Sequence, residues 1–106
     1  MVRWIGVYSL TRILLSSQYR IWILSGRSDV TQQATLDWLR KHNVPFDHLQ
    51  MRPQNLLFMP DNDLKQSWLD TIGKENVAMV FDDRNQVVDM WRSNGLTCFQ
   101  VDDGDF

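Results

Sequence analysis

The sequence predicts an α/β fold built on a parallel sheet with helices on both faces. Three observations carry that expectation. Short apolar, β-rich runs alternate with segments of roughly 10 to 15 residues that have helical period. Parallel strands need such crossover connections. The chain is 106 residues long and 43% hydrophobic, which suits one compact core and a single domain over 1–106.

In chain order, Arg20 to Leu24 reads as a buried strand that stops at Ser25-Gly26. Ser28 or Asp29 is placed to cap a helix running to about His42, with Ala34, Trp38 and Leu39 on its inner face and Asn43 closing it. Val44-Pro45 breaks that helix, and His48 to Arg52 follows as a short strand. Beyond Pro53 and Pro60, Asp61 is placed to cap a helix whose Leu64, Trp68, Leu69 and Ile72 form one stripe, ended by Gly73. Val77 to Phe81 reads as the clearest strand. The spacing of Val87, Val88 and Trp91 predicts a helix from about Asn85 to Asn94, stopped by Gly95, with Thr97 to Val101 as the last strand.

Composition excludes several function classes. The net charge of -2 is not that of a basic nucleic-acid coat. Charge is nonetheless unevenly spread, since Arg3, Arg12, Arg20 and Arg27 precede the first acid, Asp29. Cys98 is the only cysteine, so there is no internal disulfide or cysteine-based zinc site, and a reducing, cytoplasmic setting is expected. His42 and His48 match no zinc spacing. Arg3 and Arg12 interrupt the apolar N-terminus, so neither a signal peptide nor a membrane span is expected.

Ligands of parallel α/β sheets bind at the carboxyl ends of strands. That rule points to Ser25-Gly26-Arg27 and to Asp82-Asp83-Arg84. Two adjacent carboxylates after a strand as apolar as Val77 to Phe81 repel one another unless a cation or donors offset them, which suggests a magnesium site at Asp82 and Asp83. The plainer alternative has Asp83 capping the next helix while Asp82 faces solvent. Ser25-Gly26-Arg27 presents a hydroxyl, a permissive backbone and a guanidinium, a set suited to phosphate or to an ordinary strand-helix turn. Lys65, one turn into the helix that begins at Asp61, reads either as a group reaching that rim or as a solvated surface lysine.

In combination these residues resemble the second, third and fourth motifs of the haloacid dehalogenase superfamily. The likeness is closest to its polynucleotide kinase 3′-phosphatase branch, known from bacteriophage. It is carried by YRIWILSGRSD (Tyr19 to Asp29), WLRKHNVPFDHLQMRP (Trp38 to Pro53), Asp61 with Lys65, and VFDDRNQVVDMWRSNGLTCFQVDDGDF (Val80 to Phe106). The resemblance implies a three-layer, Rossmann-like sheet and hydrolysis of phosphomonoesters through an aspartyl-phosphate. By position it implies that Ser25 donates to the phosphoryl group, Arg27 grips the substrate and Lys65 neutralises charge. Asp61 would orient Lys65, and Asp82 and Asp83 would hold Mg²⁺. Phosphoryl transfer relies chiefly on such positioning and charge neutralisation. The implied partner is a phosphorylated substrate, a nucleic-acid 3′ end or a smaller phosphomonoester.

The front of the chain departs from the pattern. The family's first motif, two aspartates one residue apart, supplies nucleophile and general acid, whereas no acid precedes Asp29 here. Asp61-Asn62-Asp63 and Asp103-Gly104-Asp105 are poorly placed to replace it. The chain therefore reads as N-terminally truncated, without the nucleophile strand and cap, and as inactive alone. A non-catalytic phosphate- or magnesium-binding module and a degenerate structural protein are the alternatives. In the family the missing strand lies between those that here are Arg20 to Leu24 and Val77 to Phe81. Direct pairing of these two, with residues 4–17 helical, is the favoured repair. Val2 to Tyr8 as a substitute strand, or self-association or another chain completing the sheet, are the others.

Overall fold

The computed structural model describes residues 19–106. Residues 4–17, expected to be helical, lie outside them. The described residues divide into two compact units, which part between Phe58 and Met59.

In the first unit, β1 (Trp22–Ser28) is followed by a 3-10 turn (Asp29–Thr31), α1 (Gln32–Lys41) and β2 (His48–Arg52). The strands are parallel, with Ile23 opposite Leu49 and Ser25 opposite Met51. α1 is the crossover that parallel pairing requires. Ile23, Leu39 and Val44 form the core cluster, with Trp38, Phe46 and Leu49 packed against it. Burying each such side chain stabilises the fold by about 1.5–3 kcal/mol. Asn43 ends the helix in the left-handed region at φ 53°, a conformation asparagine tolerates better than most residues. Ala34, expected on the inner face, is exposed, because a 3-10 turn occupies the predicted first turn of the helix.

β1 differs most from expectation. It runs on through Ser25-Gly26-Arg27-Ser28, and the ladder skips from Ser25 opposite Met51 to Ser28 opposite Arg52. Gly26 and Arg27 thus form a bulge in a strand that continues where a turn was expected.

The second unit contains α2 (Asp61–Ile72), a 3-10 turn (Lys74–Asn76), β3 (Val80–Asp82), α3 (Asn85–Ser93) and β4 (Cys98–Gln100). β3 and β4 are parallel, with Val80 opposite Cys98 and Asp82 opposite Gln100. Leu64 and Leu69 of α2 and Val87, Val88 and Trp91 of α3 are buried, as their stripes require. Gly73 and Gly95 stop their helices at φ 85° and 83°. β3 is shorter than the predicted Val77 to Phe81, because the Val77 N–H closes the preceding turn on the Lys74 carbonyl at 3.2 Å.

Among the described residues the strands form two two-stranded sheets, β1-β2 and β3-β4. The ladders of the described residues are thus β1 with β2 and β3 with β4, and the expected β1-β3 pairing, between strands of different units, is not among them. Within each unit a strand pairs with the partner its own crossover helix delivers.

Candidate functional site

The second unit gathers a charged cluster at the carboxyl end of β3. Lys65 is the fifth residue of α2, on the same face as Leu64 and Leu69, and only 8% of its surface is exposed. Its Nζ lies 3.2 Å from Asp82 Oδ2 and 3.6 Å from Asp61 Oδ2, an i,i+4 neighbour. Asp61 does not cap α2 through its side chain, since Pro60 occupies the N-cap and Asp61 is the first helical residue. That position turns its carboxylate towards Lys65 and towards Arg84 Nη1 at 3.9 Å.

Asp82 is not solvent-facing. Its side chain is 12% exposed. Oδ1 accepts the Asp83 N–H at 2.8 Å, while Oδ2 accepts Lys65 Nζ at 3.2 Å and the Trp91 indole Nε1–H at 3.1 Å. Nor does Asp83 cap α3, whose N-cap is Arg84 without a side-chain bond. The plainer alternative for the aspartate pair therefore fails in both halves.

The C-terminal residues brace this loop. Val101 N–H donates to the Asp82 carbonyl at 3.1 Å, and Asn85 N–H to the Gly104 carbonyl at 2.8 Å. Gln100 Nε2 donates to the Asp83 carbonyl at 3.0 Å. Arg84 Nε donates to the Phe106 main-chain oxygen at 2.7 Å, and its guanidinium lies 5.5 Å from the Phe106 ring centre. A Cβ at Gly104 would run into the Asp83 carbonyl, so glycine here permits a backbone approach that alanine does not.

Cys98 of β4 is buried beside the cluster, and its thiol is pushed up to about 11, first by burial and then by the Asp82 carboxylate. It is a neutral core side chain, not a nucleophile.

In the first unit, Ser25 is buried, and its Oγ accepts the Arg27 N–H at 3.2 Å across the bulge. Arg27 itself is exposed. Arg52, buried at the end of β2, donates through Nε to the Gly26 carbonyl and through a terminal nitrogen to the Leu56 carbonyl, both at 2.7 Å. The two histidines lie against tryptophans with tilted rings, His48 against Trp22 at an interplanar angle of 46° and His42 against Trp38 at 41°.

Asp61, Lys65 and Asp82 are thus brought together, and Ser25 and Arg27 adjoin at their bulge. Sequence reading pointed to Arg84 only as part of Asp82-Asp83-Arg84 and missed Arg52 and Trp91 as polar partners. An arginine closing the predicted strand His48 to Arg52 was the available signal for Arg52, whereas Trp91 reads only as core.

Among the described residues no group of three or more His, Cys, Asp or Glu is placed to hold a metal. A carboxylate offers about four lone-pair positions, of which Asp82 has three committed to donors. One position on Oδ1, together with the neighbouring Asp83 carboxylate, fits a magnesium ion that keeps most of its waters.

Parallel strands, crossover helices and this cluster define an α/β domain related to haloacid-dehalogenase-type phosphatases. Residues 4–106 match the family described as the polynucleotide kinase PNKP phosphatase domain, and the chain belongs to that family. It is similar to a chain of the Pnkp1/Rnl/Hen1 RNA repair complex, at 36% identity and a TM-score of 0.87 over 94% of this chain and 33% of that one. A chain from a second structure of the Pnkp1/Rnl/Hen1 complex matches at the same identity and TM-score, over 94% of this chain and 36% of that one. The present chain therefore spans about a third of the length of those relatives.

Proposed function

We propose that residues 1–106 act as one domain, the phosphoryl-handling part of a magnesium-dependent polynucleotide 3′-phosphatase. The observation that carries this reading is the buried Lys65 ammonium beside Asp82 and Asp61. Replacing a buried ion pair by apolar residues is often neutral or stabilising, so stability alone is a weak reason to keep one. An ammonium held in surroundings of low dielectric is, by contrast, well suited to meeting charge that develops on a phosphoryl oxygen.

In this reading Ser25 donates to the phosphoryl group and Arg27 binds substrate phosphate with its fork of donors. Lys65 neutralises phosphoryl charge, and Asp61 orients Lys65. Asp83 and Oδ1 of Asp82 would hold Mg²⁺, which supplies further neutralisation of phosphoryl charge when bound. Membership of the family and likeness to chains of an RNA repair complex support a nucleic-acid 3′ end as substrate and other protein chains as partners.

These 106 residues contain no Asp-x-Asp ahead of β1. Asp61 of the Asp61-Asn62-Asp63 pattern is engaged by Lys65 and Arg84. In Asp103-Gly104-Asp105 the central backbone is packed on the Asp83 loop. The polypeptide alone is accordingly a binder of phosphate and magnesium without turnover. The test is phosphate release from a 3′-phosphorylated oligonucleotide and from an aryl phosphate with Mg²⁺. No release above background is expected. Turnover that survives repurification and disappears in Asp83→Ala would overturn the inactivity and restore Asp61 or Asp63 as candidate nucleophile.

A further inference from the structure

Asp82 Oδ2 is shared by two donors of different kinds. Lys65 Nζ approaches from α2 at 3.2 Å and the Trp91 indole N–H from α3 at 3.1 Å. Trp91 is 3% exposed, so no water competes readily for its N–H. A lysine ammonium is a rotatable point charge and fixes distance better than angle. An indole has one N–H in the plane of a ring locked by packing, and it fixes direction. With Oδ2 held between them and the Asp83 N–H on Oδ1 at 2.8 Å, the carboxylate plane is fully determined.

We infer that Trp91 is a positioning residue: its indole N–H, with Lys65, occupies Oδ2 and leaves Oδ1 as the only Asp82 oxygen available to a cation. The inference rests on the proposed magnesium role of Asp82 and Asp83 and specifies how Asp82 takes part in it. Asp82 offers a cation a single, pre-oriented oxygen, and never both. Partners that orient a metal-binding side chain typically contribute 10-fold to 100-fold to affinity. Magnesium, which demands near-ideal geometry, is sensitive to such orientation.

The test uses the full 106-residue chain labelled with ¹⁵N, titrated with MgCl₂ as wild type and as Trp91→Phe, which keeps a packed ring and removes the N–H. The chain has five tryptophans, and the indole signal lost in the variant identifies Trp91. Two results are expected. Magnesium affinity, read from the amide signals of Asp82 to Arg84, falls about tenfold in the variant. In the wild type the Trp91 indole N–H stays slow to exchange with solvent at saturating magnesium. Equal affinities, or an indole N–H released by magnesium, would overturn the inference while leaving the magnesium reading intact. No magnesium response in either protein would overturn both. Should the variant fail to fold, the wild-type exchange measurement decides alone, because it needs no substitution.

Discussion

Lys65 is the residue on which the second unit's charge balance turns. Removing one partner of a buried pair leaves an uncompensated charge, and here two carboxylates would be left beside each other. Lys65→Met should therefore destabilise the chain by about 3 kcal/mol in urea unfolding, and a loss below about 1 kcal/mol would mean that water already screens the cluster. Cys98 gives a second test at this scale. Its folded pKa is raised to about 11 from 9.0, so the native state holds its proton more tightly than the unfolded chain does. Stability from this group is complete below pH 9 and is lost as pH rises towards 11. The difference in stability between wild type and Cys98→Ala should shrink over that window, and a constant difference would contradict the assignment. The sequence revealed the residue types of the cluster but not their burial. The aspartate pair left a magnesium site and a cap with a solvated neighbour both open, and nothing in the spacing of Trp91 nine residues after Asp82 shows that an indole N–H turns back to it.

At the scale of elements, α3 was the most legible. Val87, Val88 and Trp91 set its buried face and Gly95 its end, and all four behave accordingly. β2 matches its predicted span of His48 to Arg52. Local preference was a poorer guide where a distant side chain decides the backbone. Arg52 binds the Gly26 carbonyl and holds the bulge in β1, a contact across 26 positions that no turn propensity encodes. Gly104 supports a prediction of the same kind. Gly104→Ala must push the tail away from the Asp83 carbonyl, at a cost of about 1–3 kcal/mol, and should alter the Asp82 to Arg84 amide signals. Gly95→Ala has no neighbour within 4 Å and should cost about 1 kcal/mol through its positive φ, leaving those signals in place. Equal perturbation of the loop by both variants would contradict the bracing role of the C-terminal residues.

For the whole molecule, the α/β class and the phosphatase family were both legible, because βαβ order and the Ser25, Lys65 and Asp82-Asp83 sequence of motifs are local features. Strand pairing was not, because it depends on which crossover delivers each partner. Among the described residues no helix is long and apolar enough to cross a membrane. The proposed function gives Arg27 in the first unit, and Lys65, Asp82 and Asp83 in the second, roles in binding a phosphorylated nucleic-acid end with magnesium. Its most direct test is fluorescence anisotropy with a short single-stranded oligonucleotide bearing a 3′-phosphate, against the same strand ending in a 3′-hydroxyl, with MgCl₂ present. Tighter binding of the 3′-phosphate by about tenfold is expected, the order of one charge-assisted contact set, with loss of that preference in Asp83→Asn. Equal binding of the two strands by the wild-type chain would contradict it.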